Sequence, residues 1–161
     1  MRYAAIKEND IVDGEGVCLS FWTQGCPHRC HGCHNPETWD FDGGIEEKDT
    51  TLLNRVLDLI TKNNVKRNLS ILGGEPLCDK NRTFVSTLLS QAKRRYPYIK
   101  TYLWTGYTLE ELQELDDPRI KSILENVDVL IDGPYIEEER DITLKLRGSK
   151  NQRVFYNGID F

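Results

Sequence analysis

Apolar positions along this chain recur with two different periods. Val17–Thr23 (VCLSFWT), Leu69–Leu72, Ile99–Trp104 and Val127–Asp132 form short continuous runs, the pattern of buried strands, and Gln152–Tyr156 is a last strand candidate. Between these runs the spacing becomes helical. Leu52, Leu53, Val56, Leu57 and Ile60 share one face of a helix over Thr51–Asn63, and Val85, Leu88, Leu89 and Ala92 share one over Arg82–Arg95. Thr108-Leu-Glu-Glu111 is a capping-box pattern opening a helix that runs to about Leu115. Asp117-Pro118 marks another helix start, with aspartate as N-cap and proline at the first helical position.

Strand–helix alternation predicts parallel strands joined by right-handed crossovers. A chain of 161 residues is too short for a closed eight-fold barrel, which takes about 250. The expectation is a single α/β domain over residues 1–161, an open partial (β/α) barrel of about five to six mostly parallel strands. Ligands in such sheets sit beyond the carboxyl ends of the strands. Four conspicuous segments fall there: a cysteine-rich loop after Val17–Thr23, Gly73-Gly74-Glu75-Pro76, Thr105-Gly106 and Asp132-Gly133-Pro134. The pattern therefore predicts one mouth built from four strand ends.

Composition narrows the class. Hydrophobic residues make up 39% and charged residues 29%, which excludes disorder. No apolar run approaches the ~20 residues of a membrane span, and MRYAAIKENDIVDGEG lacks the apolar core of a signal peptide. A cytoplasmic chain without membrane contacts is the expectation. Lys and Arg number 21 against 26 Asp and Glu, a net charge of −5 that argues against non-specific nucleic-acid binding. Lys145, Arg147, Lys150 and Arg153 lie between Thr143 and Val154 with no acid among them. That segment is either a solvated face or a docking surface for a protein partner.

Three of the five cysteines fall in one spacing, Cys26-x3-Cys30-x2-Cys33. A tight loop of this kind can present three thiolates to one metal centre, while Cys18 and Cys78 read as small buried hydrophobes. Zinc needs a fourth ligand, available from His28, His31 or His34. An iron–sulfur cluster uses the three thiolates and leaves one iron open. No second CxxC exists to complete a structural zinc site, which favours the cluster. In Gly73-Gly74-Glu75-Pro76 the glycines permit close backbone approach to a ligand, the carboxylate can accept from a ligand ammonium, and Pro76 fixes the turn. Read alone, the same residues fit an ordinary turn between strand and helix.

Together the cysteine motif and the Gly-Gly-Glu-Pro turn resemble the radical S-adenosylmethionine superfamily. The resemblance implies that Cys26, Cys30 and Cys33 hold a [4Fe–4S] cluster whose open iron takes the amino and carboxylate groups of S-adenosylmethionine. It implies that Gly73, Gly74, Glu75 and Pro76 surround the methionine moiety, and that Gly32, Cys33 and His34 pass beside the adenine. One position departs from the superfamily pattern: Gly32 precedes the third cysteine where an aromatic residue is usual, and His34 is the candidate replacement. Asp132, at a strand end facing the mouth, is a further candidate contact.

The longer stretch Gly25-Cys-Pro-His-Arg-Cys-His-Gly-Cys-His-Asn-Pro-Glu-Thr-Trp39-Asp narrows the likeness. With Asp13-Gly-Glu-Gly16, Trp104-Thr-Gly-Tyr107, Asp132-Gly-Pro-Tyr135 and Arg147-Gly-Ser-Lys-Asn-Gln-Arg153, it is similar to the activating proteins of anaerobic ribonucleoside-triphosphate reductase. That likeness implies a protein partner, the large subunit of the reductase, on which a glycyl radical is formed. It also implies flavodoxin or ferredoxin as electron donor. The cofactor carries the chemistry, so no side-chain acid or base is required and no catalytic residue is assigned. Two other readings are a radical S-adenosylmethionine enzyme acting on a small molecule, like 7-carboxy-7-deazaguanine synthase, and a zinc-binding module. Phe21 and Trp22 read as core, and Tyr96, Tyr98 and Tyr102 as packing or surface residues.

Overall fold

The computed structural model describes residues 1–161. Its elements are β1 (Arg2–Asp10), β2 (Cys18–Thr23), β3 (Ile45–Glu46), α1 (Asp49–Leu59), β4 (Asn68–Gly73), α2 (Asp79–Arg95), β5 (Thr101–Trp104), α3 (Leu109–Glu114), α4 (Pro118–Asn126), β6 (Val129–Asp132) and β7 (Arg153–Tyr156). All seven strands form one open sheet in the order β3-β1-β2-β4-β5-β6-β7. The central run β2-β4-β5-β6 is parallel, while β1 and β7 run antiparallel to their neighbours. β3 is antiparallel to β1 and so shares the direction of the central strands.

The seven strands exceed the expected five to six. The additions are β1 and the two-residue β3. Arg2–Asp10 buries only Tyr3 and Asp10, so its pattern carries little apolar signal. It is a strand because its backbone pairs with β2 on one side and β3 on the other. Helix limits also shift. α1 runs over Asp49–Leu59 and ends before Asn63 and Asn64, which adopt left-handed φ of 57° and 59°. α2 starts at Asp79, three residues earlier than the apolar spacing reaches.

Strand alternation separates two faces. Leu19, Phe21, Leu69, Ile71, Leu103 and Leu130 join Leu52, Val56, Val85, Leu88, Leu112 and Ile120 of the helices in one buried core. The helices thus cover one face of the sheet. On the other face Tyr102, Val129 and Ile131 pack beneath Leu146, and the turn between β1 and β2 folds over Cys18. A Cβ on Gly14 would stand 2.7 Å from the Cys18 sulfur, so only glycine fits there, at φ +125°. Cys18 and Cys78 are both buried, as their reading as small hydrophobes requires.

The same turn contains a carboxyl pair. Asp10 Oδ1 accepts from the backbone N–H groups of Val12 (2.8 Å) and Asp13 (3.0 Å), and Oδ2 accepts from Ser20 Oγ (2.8 Å). Burial opposes ionisation of Asp10, but hydrogen bonds from Asp13, Val12 and Ser20 outweigh it and hold the group below the usual range. Asp13 is pushed up to about 6, by burial first and then by its hydrogen bond to Asp10 and the charge there. An unfolded aspartate releases its proton near pH 3.9. Between about pH 4 and 6 the native chain therefore holds a proton that the unfolded chain has lost, and Asp13's contribution to stability falls as pH rises. Urea midpoints from pH 4 to 7 are expected to fall more steeply for the wild-type chain than for Asp13→Asn. Parallel pH profiles would contradict this assignment.

Candidate functional site

A cavity of about 240 Å³ opens at the carboxyl ends of β2, β4, β5 and β6. Its wall takes Cys26, Cys30 and Cys33 from the loop after β2, Gly73, Gly74 and Glu75 from the turn after β4, Thr105 and Gly106 from the turn after β5, and Gly133 after β6. The four strand-end segments singled out by the sequence thus meet at one mouth.

Backbone packing explains the glycines. Gly25 N–H donates to the Thr38 carbonyl (2.7 Å) and Cys26 N–H to the Trp39 carbonyl (3.2 Å), closing the cysteine loop at its base. That base then docks on the turn after β4, where Gly74 N–H donates to Thr23 O (2.9 Å) and Glu75 N–H to Gly25 O (2.8 Å). A Cβ on Gly74 would lie 2.5 Å from the Gly25 carbonyl oxygen, and one on Gly73, at φ +108°, 2.6 Å from the Thr23 nitrogen. These neighbours are backbone and cannot swing aside, so the close approach requires Gly73 and Gly74. Within the loop, Cys33 N–H donates to Cys30 O (3.1 Å), turning both thiols toward the same wall.

Glu75 is 1% exposed and carries four hydrogen bonds. Oε1 accepts from Thr105 Oγ1 (2.7 Å) and the Leu77 N–H (2.9 Å), while Oε2 accepts from the Gly106 N–H (2.7 Å) and pairs with His28 Nε2 (2.7 Å). The hydrogen bond to Glu75 raises the His28 pKa despite burial, and the Glu75 charge adds to the shift. The His28 ring also meets the Tyr107 ring edge-on, with centroids 4.7 Å apart.

Burial pushes the Cys26 thiol up to about 11 and raises Cys30 as well. Both are therefore protonated at neutral pH without a metal, and binding iron must release their protons. The chemistry of the wall suits an iron–sulfur cluster with a ligand beside it. Three thiols share the cavity, yet no three cysteine, histidine or carboxylate side chains close on the position of a single ion. Trp39 lines the same wall with its indole N–H buried and without an acceptor.

The remaining sequence candidates divide. His34 lines the cavity and its ring stands 5.2 Å from that of Tyr135. Gly32, at φ +76°, lies outside the wall, and a Cβ there would meet the end of the Glu137 side chain, whose carboxylate also accepts from Tyr135 Oη (2.6 Å). The left-handed backbone at this position favours glycine over an aromatic residue before the third cysteine. Pro76 is buried behind the turn. Asp132, expected at the mouth, is fully buried away from the cavity and accepts from the Leu109 N–H (2.7 Å) and from Arg153 (2.6 Å). Its position at a strand end was visible in the sequence, but its side chain is committed to α3 and β7.

One wall residue differs from its sequence reading. Phe21 is core, as expected, but Trp22 is half-buried and lines the cavity with Leu72 and Trp104. Period-two alternation would have identified all three, because Leu19 and Phe21 face the helices. Tyr96 and Tyr102 are buried and Tyr98 is exposed. The basic segment does border the cavity, through Gly148 and Gln152. However, Arg147 is bonded to Gln152 O (2.8 Å) and Arg153 to two carboxylates, leaving Lys145 and Lys150 exposed without ion pairs.

Residues 12–155 match a family described as a 4Fe-4S single cluster domain. The chain is 37% identical over 161 residues to the anaerobic ribonucleoside-triphosphate reductase-activating protein of Enterobacteria phage T4, covering 98% of this chain and 95% of the relative. It is 36% identical over 157 residues to the protein of the same name from Vibrio cholerae, covering 96% and 97%. To that from Haemophilus influenzae it is 34% identical over 154 residues, again covering 96% and 97%.

Proposed function

The chain belongs to the family of anaerobic ribonucleoside-triphosphate reductase-activating proteins, and on that premise we propose that it is a radical S-adenosylmethionine enzyme that forms a glycyl radical on such a reductase. The observation that carries this reading is the meeting of Cys26, Cys30 and Cys33 with the Gly73-Gly74 turn around one cavity. When bound, a [4Fe–4S] cluster and S-adenosylmethionine together supply a 5′-deoxyadenosyl radical able to take a hydrogen atom from a glycine.

The chain's own residues bind, orient and exclude water. Cys26, Cys30 and Cys33 hold the cluster. The Gly74 carbonyl, on the wall and without a donor in the chain, is the acceptor available to the ligand's ammonium. His34 and Tyr135 offer aromatic faces to the adenine. Trp22, Leu72 and Trp104 form an apolar floor that keeps water from a reactive species. The open sheet suits a protein substrate, because a glycine-bearing loop must reach the site from outside. The large subunit of the reductase is the partner in this reading, with flavodoxin or ferredoxin as electron donor. A cytoplasmic location follows from that partner, and no helix is long and apolar enough to cross a membrane.

Anaerobic reconstitution with iron and sulfide, followed by electron paramagnetic resonance with and without S-adenosylmethionine, tests the reading. The expected result is a [4Fe–4S]⁺ signal that changes when the ligand is added, and a glycyl radical when the reductase is included. A ligand-responsive cluster that leaves no radical on the reductase would redirect the search to a small-molecule substrate. Tightly held zinc without sulfide would overturn the enzyme reading.

A further inference from the structure

We infer that His28 is a positioning residue that ties the cysteine loop to the strand-end turns through Glu75, and that Glu75 serves the site as this anchor and not as a contact for a bound ammonium. The inference rests on the reading above, since it assigns roles within the same site.

His28 lies between Cys26 and Cys30, so its placement bears on both thiols. Its bond to Glu75 joins residues 26–34 to the turn after β4. The ring rests on the turn after β5, where a Cβ at Gly106 would stand 2.5 Å from His28 Cδ2, and Tyr107 closes its edge. One imidazole therefore links the cysteine loop to the ends of both β4 and β5.

Glu75 leaves no room for a further partner. A carboxylate offers about four lone-pair sites, and here each oxygen has two donors: Thr105 and Leu77 on one, Gly106 and His28 on the other. With the residue 1% exposed, an ammonium could bind its oxygens only by displacing a protein donor. The carboxylate brings the turns after β2, β4 and β5 to one point, which is a structural task complete before any ligand arrives.

Three variants test this: His28→Leu, which removes the bond at similar volume; His28→Gln, which keeps a donor; and Glu75→Gln, whose single oxygen can serve only one of the two donor pairs, so that either Gly106 with His28 or Leu77 with Thr105 faces an amide N–H. The first measurement is iodoacetamide alkylation of individual cysteines in the cluster-free chain, with Cys18 as an internal control. His28→Leu and Glu75→Gln are each expected to speed alkylation of Cys26 and Cys30 by roughly tenfold or more through local opening, with Cys18 unchanged and His28→Gln partly restoring protection. Combining His28→Leu with Glu75→Gln should add little, because both break the same tie. The second measurement is loss of the reconstituted cluster to a chelator, which should accelerate in the same order. The inference is overturned if His28→Leu leaves both rates at wild-type values. It is also overturned if Glu75→Gln weakens S-adenosylmethionine binding while thiol protection stays intact. Should the wild-type chain take up no cluster, the functional reading fails, and the alkylation rates still decide whether the tie exists.

Discussion

Alanine in place of any one of Cys26, Cys30 or Cys33 is expected to abolish both cluster retention and reductase activation. Changes outside the ligand sphere of a metal site cost about 10–100-fold, and loss of one of only three ligands removes more than that. The cavity offers no substitute thiol. Cys18 is buried on the sheet under the turn after β1, and Cys78 is buried at the start of α2, neither on the cavity wall. Alanine at Cys18 or Cys78 removes one buried sulfur, at a cost of about 1 kcal/mol, and should leave iron and sulfide content unchanged. Iron, labile sulfide and visible absorbance of the five anaerobically reconstituted variants, with thermal unfolding of each cluster-free chain, separate ligand loss from instability. A variant of the first group that keeps a wild-type cluster, or a Cys18 or Cys78 variant that loses it at unchanged stability, would refute the ligand assignment.

The part of this site that sequence exposes most clearly is the part made by backbone. Cys26, Cys30, Cys33, Gly73, Gly74, Thr105, Gly106 and Gly133 all follow strand-like apolar runs, and parallel strands bring their carboxyl ends together wherever the strands themselves are recognised. β1 is not legible in the sequence because a half-exposed strand held by its ladder leaves almost no hydrophobic period. Side-chain commitments were harder to see for another reason. Glu75 looks free in sequence because three of its four donors come from residues 30 or more positions away or from the cysteine loop. Gly32 looks like a lost aromatic contact until its left-handed backbone and the Glu137 side chain beside it are seen. Spacing along the chain carries no information about such long-range partners.

Asp132 shows the same effect with a larger energetic consequence. Its carboxylate is fully buried at the end of β6, where Arg153 reaches it from β7 through Nε (3.1 Å) and Nη2 (2.6 Å). The guanidinium also pairs with Glu110 on α3 (2.6 Å) and lies over the Phe155 ring at 4.8 Å. Replacing Arg153 by methionine keeps most of the packing but leaves the buried carboxylate with the Leu109 N–H as its remaining donor. An uncompensated buried charge of this kind costs about 3–5 kcal/mol, a large share of the roughly 5–15 kcal/mol that holds a domain folded. Glu110→Ala should have little effect, because that carboxylate is exposed and screened. Adding Asp132→Asn to Arg153→Met removes the stranded charge, so the double variant should be more stable than Arg153→Met alone. The damage also reaches the cavity wall, since Gly133 follows Asp132 and its carbonyl is held by Gln152 beside Arg153 (3.1 Å). Urea midpoints for the three variants decide the matter. An Arg153→Met midpoint equal to that of the wild type would mean the carboxylate is not held by this pair.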